Sequence, residues 1–238
     1  MLTTADAALP VTAAGDRELK FTLPGSRVAL ARRMLEASCR PDQEYPTAYV
    51  WTIYYDTPHL ASLREKINSE YLKLKIRLRW YAEIEQPPSG PAFIEVKRRV
   101  GARRDKVRVR APYAAEELAT WGLQDGRLQS LPLLLRAQGI KLQDLWYPVL
   151  LIRYRRDRFV EPISRARVNL DSGIAAVAVN PSFVSTSDPS SLGLAILEVK
   201  GRHQELPSAL RALLLLGARK RSISKFLAVH RHVTRAIF

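Results

Sequence analysis

The chain has 238 residues, 47% of them hydrophobic, and carries 38 Lys and Arg against 23 Asp and Glu, a formal charge of +15. That apolar fraction supports a substantial core and excludes disorder as the default, and the length suits one β-rich domain. The charge predicts attraction to a polyanion without choosing among nucleic acid, an anionic membrane and a polyphosphorylated small molecule.

Residues 1–16 are Ala/Thr-rich without a period and read as a flexible tail, leaving 17–238 as a single domain. Arg17–Leu23 alternates apolar and polar residues and predicts the first strand, with Glu18 and Lys20 on one face. A helix is expected over Arg27–Ser38, a strand over Ala48–Tyr55, then a turn at Asp56-Thr57-Pro58 and a short helix over about Leu60–Lys66. Tyr71–Tyr81 alternates without a break, so Lys73, Lys75, Arg77 and Arg79 share one face. Phe93–Arg99 and Arg104–Arg110 continue the pattern on either side of a turn that Gly101 permits. Helices are expected over Tyr113–Trp121 and Gly126–Gly139, then strands over Tyr147–Phe159, Ser164–Asp171, Ile174–Val179 and Leu194–Lys200. Ser182–Ser191 reads as a loop and Leu206–Leu216 as a helix.

Like charges facing each other across strands are unfavourable, so a basic sheet face in several successive strands calls for an anion. Three distant segments repeat one arrangement: Glu18-Leu19-Lys20, Glu95-Val96-Lys97 and Glu198-Val199-Lys200 each place a carboxylate and an ammonium on one strand face. Arg165 with Arg167, and Tyr154 with Arg156, share faces in the same manner. If these faces converge, the sheet curls around a polar interior and helices cover its apolar side. An interior crowded with cations is tenable when it stays wet and binds phosphates. The interspersed carboxylates would temper the repulsion or hold Mg²⁺ or Mn²⁺.

The order of these motifs resembles the VTC domain of polyphosphate polymerases, a branch of the triphosphate tunnel (CYTH-like) superfamily. The carrying segments are Arg17–Phe21, Tyr54–Thr57, Lys75–Tyr81, Phe93–Lys97, Lys106–Arg108, Tyr154–Arg156, Arg167–Asp171, Leu197–Lys200 and Ser224–Phe226. The resemblance implies an α+β fold: an antiparallel β-barrel-like tunnel with helices packed on its outside. It implies transfer of the terminal phosphoryl of ATP to a growing inorganic polyphosphate chain, with Mn²⁺ or Mg²⁺. Lys20, Arg77, Arg79, Lys97 and Lys225 are the implied catalytic residues. Lys75, Lys106, Tyr154, Arg156, Arg167, Lys200 and Ser224 are the implied phosphate ligands. Glu198 is the implied metal ligand, as against a partner for Lys200, with Glu18 and Glu95 as weaker candidates that also read as ion-pair members. Ser224 alternatively caps a helix and Tyr154 alternatively packs in the core.

Tunnel triphosphatases carry Glu-x-Glu-x-Lys on the first strand; here Lys20 stands where the second Glu would be, which favours the polymerase branch. A tunnel triphosphatase or polyphosphatase, and a non-catalytic polyphosphate sensor, remain the alternatives. Nucleic acid is not the expected partner, because the cations are interleaved with carboxylates and aromatic residues are sparse among them. No P-loop, Cys-rich metal motif or nucleophile elbow is present, and His230 and His232 are not expected to bind metal. The single Cys39, the lack of a secretion signal and apolar runs too short to span a bilayer point to a cytoplasmic protein, with a membrane-protein partner left open.

Overall fold

The computed structural model describes residues 17–68, 70–101, 103–185 and 191–235, so the expected tail and the tip of the Ser-rich loop lie outside the described residues. The elements in chain order are β1 (Arg17–Pro24), α1 (Val28–Ser38), β2 (Arg40–Pro41), β3 (Thr47–Asp56), α2 (Ala61–Ile67), β4 (Leu72–Ala82), β5 (Pro91–Val100), β6 (Arg103–Ala114), α3 (Ala115–Leu118), α4 (Gly126–Ser130), β7 (Tyr147–Val160), β8 (Arg167–Val179), β9 (Leu194–Gly201), β10 (Arg219–Lys220) and α5 (Lys225–Thr234). They build one antiparallel sheet in the order β10-β1-β9-β8-β7-β3-β4-β5-β6, with β2 paired to β7.

The strict alternation of the strands sorts the side chains. Ile76, Leu78, Trp80, Ile94 and Val96 face outward and pack under α3, α4 and a 3-10 helix at Leu131–Gln138. Leu19, Phe21, Val168, Leu197 and Val199 face outward on the other half and pack under α1 and a second 3-10 helix at Ser208–Leu216. The opposite, polar face curls inward. Lys97 on β5 lies close enough to Lys200 on β9 and Glu18 on β1 to feel their charges, although seven strands span the path from β5 to β1 around the sheet. Lys97 is exposed to solvent by surface area even though protein surrounds it, as expected of a side chain lining a wet bore.

Hydrogen bonding along the sheet ends at β6 on one side and β10 on the other. The expected barrel is therefore an open, curled sheet with a seam. The cause is visible at its edges. β10 spans two residues and pairs only with Phe21 and Thr22, and β6 presents an edge rich in Arg and Lys, which discourages further strand addition.

Several local expectations change, among them the helix expected over Gly126–Gly139, which is α4 followed by the 3-10 helix at Leu131–Gln138. β6 continues through Tyr113 to Ala114, so the first expected helix shrinks to four residues, α3. The strand pieces before and after Ser172 are one strand, β8, whose pairing shifts where Gly173 adopts φ +57°. Arg165 sits in a turn at φ 58°, ahead of β8, and does not continue the face of Arg167. The helix at Leu206–Leu216 is a shorter 3-10 helix. An additional helix, α5, packs against the β3, β7, β8 and β9 side of one end of the bore. There the inner face turns apolar, and Val50, Leu150, Ile152, Ile174 and Ile196 receive Phe226, Val229 and Val233. Phe226 stacks on Tyr54 with ring centroids 5.0 Å apart.

Candidate phosphate tunnel

α2 guards the end of the bore that α5 occupies. Its first turn is held by Asp56, which accepts from Thr57 N at 2.8 Å, Ser62 N at 2.8 Å and Leu63 N at 3.1 Å. Thr57 Oγ1 accepts from Ala61 N at 3.1 Å, while Pro58 lies before the helix rather than in its first turn. Burial pushes the Asp56 carboxyl up to about 6 despite those donors. This pair is structural, as the sequence suggested.

One wall of the bore comes from β7, β8, β9, β1 and the start of α5. Asp171 is fully buried and receives Arg156 Nε at 2.6 Å, Arg156 Nη2 at 2.7 Å and Lys225 Nζ at 2.5 Å. Glu198 receives Lys225 at 3.1 Å, Lys20 at 3.3 Å and Arg156 at 3.3 Å. Burial works against both carboxylate charges, but the surrounding cations outweigh it and hold both below the usual range. Reciprocally, these carboxylates overcome burial and raise the Lys225 ammonium. Further along the same wall, Glu18 bridges Lys20 and Lys200 at 3.5 Å each. Arg167 pairs directly across strands with Lys200.

The facing wall comes from β4, β5 and β6. Its register places Arg77, Glu95 and Arg108 in one row, Lys75, Lys97 and Lys106 in the next, and Lys73 with Arg99 beyond. Glu95 receives Arg77 at 2.6 Å and Lys106 at 2.9 Å, with Arg108 at 3.6 Å. Burial opposes its charge, and Arg77, Arg79 and Lys106 overcome that and hold it far below the usual range. The second row has cations in all three positions. The Lys97 ammonium is driven well below its ordinary value, first by Arg77, then by burial and by Lys200. Burial, with Lys66 and Lys20 close by, lowers Lys75 to about 8.

Arg79 is buried between the walls. Its Nε donates to Thr52 Oγ1 at 3.1 Å and its Nη2 to the Tyr154 hydroxyl at 3.0 Å. The Tyr154 ring also lies 4.9 Å from the Lys225 ammonium. Tyr154 thus orients cations through both its hydroxyl and its face. Ser224 is the residue before α5, and its hydroxyl, instead of capping that helix, accepts from Lys75 at 3.1 Å.

The residues implied as catalytic, phosphate-binding or metal-ligating therefore share the inner face or the start of α5, while Arg165 does not. The sequence reading assigned no role to Asp171, although it ends the Arg167–Asp171 motif on the polar parity of β8. It also missed Arg108, whose guanidinium lies 3.6 Å over Phe93 and whose Nε has no hydrogen-bond partner among the described residues. Among those residues, no three His, Cys, Asp or Glu side chains converge as a metal site. Glu198 and Glu95 are both committed to cations, so the donor set does not fit a cage built by the protein alone.

A wide antiparallel sheet curled around a cationic, water-reached face defines a triphosphate-tunnel fold. Consistent with it, the chain is similar to HpAC1 from Hippeastrum, described as a candidate adenylyl cyclase with a dominant triphosphatase activity. The likeness has a TM-score of 0.51 at 13% identity and covers 90% of this chain and 94% of that one. A second likeness, to a candidate adenylate cyclase from Vibrio parahaemolyticus, covers 92% of this chain and 90% of that one at 13% identity with a TM-score of 0.40. Among curated proteins, none matches. The VTC domain matches residues 16–232, and the chain belongs to the VTC domain family.

Proposed function

We propose that this protein is a polyphosphate polymerase-type phosphotransferase that passes the terminal phosphoryl of ATP to an inorganic polyphosphate chain held in the bore. The observation that carries the reading is the Lys75–Lys97–Lys106 row, three ammonium groups opposite one another on neighbouring strands. Such a row is unfavourable alone and favourable around a string of phosphates. A terminal polyphosphate oxygen attacks the γ-phosphorus of ATP in line. The bond from that phosphorus to the β–γ bridging oxygen breaks, and ADP leaves with the electron pair. The chain supplies position and positive charge rather than covalent chemistry. Arg77, Arg79, Lys97 and Lys20 would bear on the transferring group, and Lys225 would bear on it from the start of α5. Lys75, Lys106, Arg156, Arg167, Lys200 and Ser224 would hold flanking phosphates.

For Glu198 and Glu95 the contacts favour orienting cations over ligating metal. A divalent ion would come bound to the nucleotide, where it neutralises phosphate charge, and Glu18, with its longer contacts, is the carboxylate best placed to meet it. Triphosphate hydrolysis is the second reading, favoured by the activity described for HpAC1. Incubation with ATP and Mn²⁺ separates the two. Long polymer with stoichiometric ADP supports the polymerase, and free phosphate without polymer supports the hydrolase. Among the described residues, no helix is long and apolar enough to cross a membrane.

A further inference from the structure

Successive residues on one strand face are about 7 Å apart, so the Lys73–Arg99 pair lies about 14 Å along the wall from the Arg77–Glu95 pair. A tripolyphosphate is shorter than that separation, so it would meet these cations less fully than a long polymer running along the wall. Above the outer pair, α2 brings in Lys66, whose ammonium donates to Ser222 Oγ at 2.9 Å and is thereby held at the mouth. Burial depresses that ammonium, and the Lys73, Lys20 and Arg99 charges add to the effect. Glu65 on α2 accepts from the backbone of Leu74 at 2.7 Å and so anchors α2 to β4, with the Glu70 carboxylate near it. The cation excess of the bore thus continues outward past the residues assigned to phosphoryl transfer.

We propose that Lys66, Lys73 and Arg99 form a separate phosphate subsite at the α2 mouth, which grips inorganic polyphosphate beyond the units held inside the bore. This rests on the reading of the bore as a polyphosphate path. It adds a determinant of chain length: a polymer that reaches the mouth gains contacts that a short one cannot.

The test is equilibrium binding of tripolyphosphate and of long-chain polyphosphate to the full chain, with no nucleotide present. The ratio of the two affinities is the readout. The unmodified protein should favour the long chain strongly. The Lys66→Ala, Lys73→Ala double variant should lose about tenfold of that ratio, as expected for a lost charge-assisted contact. Lys66→Arg should retain it. A charge-matched control on the outer side, Arg33→Ala with Arg40→Ala, should leave the ratio as it was. An unchanged ratio in the mouth variant overturns the proposal, as does an equal fall in the control, which would make the effect one of net charge. Because turnover is not measured, a protein that makes no polymer from ATP still passes or fails this test on its own terms.

Discussion

The two walls of the bore carry similar cations and differ in what faces them. On the β8–β9 wall, Asp171 and Glu198 sit among Arg156, Lys20 and Lys225, and each charge has a partner of opposite sign. On the β4–β6 wall, Glu95 serves one row and the rows beyond it are cationic on both sides. The first wall is largely neutralised and holds α5 in place, so its cations would meet phosphate while still paired. The second is left short of negative charge, and that deficit is what a phosphate chain would fill. The same residue type is therefore matched by carboxylates on one side and left in excess on the other.

Removing charge from each wall should have opposite consequences. Lys97→Met is expected to lower polymer synthesis at least about a hundredfold, the scale of one lost electrostatic contact to a developing charge. Thermal unfolding of the ligand-free variant should be unchanged or shifted upward, because Arg77 and Lys200 lose a repulsive neighbour. A clear downward shift would break the contrast. Asp171→Ala should do the reverse and destabilise the fold by about 3 kcal/mol or more in denaturant titration, since it leaves Arg156 and Lys225 buried beside Glu198 alone. A stability within experimental scatter of the parent would show that this wall is not held by its ion pairs.

Asp56→Ala should cost about 2 kcal/mol by loosening the first turn of α2. Polyphosphate affinity for long chains should fall with it if α2 positions Lys66.

The smallest effect is on pH. Lys75 titrates near 8 when folded, below its unfolded value, so the unfolded chain binds more protons between about 8 and the usual lysine range. Ligand-free stability should therefore rise with pH across that window. A phosphate chain would restore the ammonium, so binding near pH 8 should take up protons and weaken as pH rises. Calorimetry in buffers of different ionisation enthalpy checks this, and proton release on binding would contradict it.

Much of this contrast was legible in the sequence because strand alternation is a strong signal. Lys73, Lys75, Arg77 and Arg79 declared a face, and so did Leu74, Ile76 and Leu78. What escaped depended on distant partners. α5 was hidden because its first residue, Lys225, is a buried cation that makes sense only beside Asp171 and Glu198. Asp171 itself was one acidic residue at a strand position, with no local hint that Arg156 lay opposite it in the register. The seam was invisible for a similar reason, since closure of a curled sheet is decided by where its edges meet. The bulge at Gly173 broke the period of β8 and made one strand look like two.

The position of Lys225 has a consequence for the order of assembly. During synthesis the chain leaves the ribosome with β1, β7, β8 and β9 ahead of α5, so Arg156 and Lys20 can meet Asp171 and Glu198 first, and the last counter-charge arrives 27 residues after Glu198. Until that helix docks, Asp171 and Glu198 lack one of their cations and the apolar residues at that end of the inner face lie uncovered. Docking of a single terminal helix is thus the step that completes both the ion-pair wall and the apolar end of the bore.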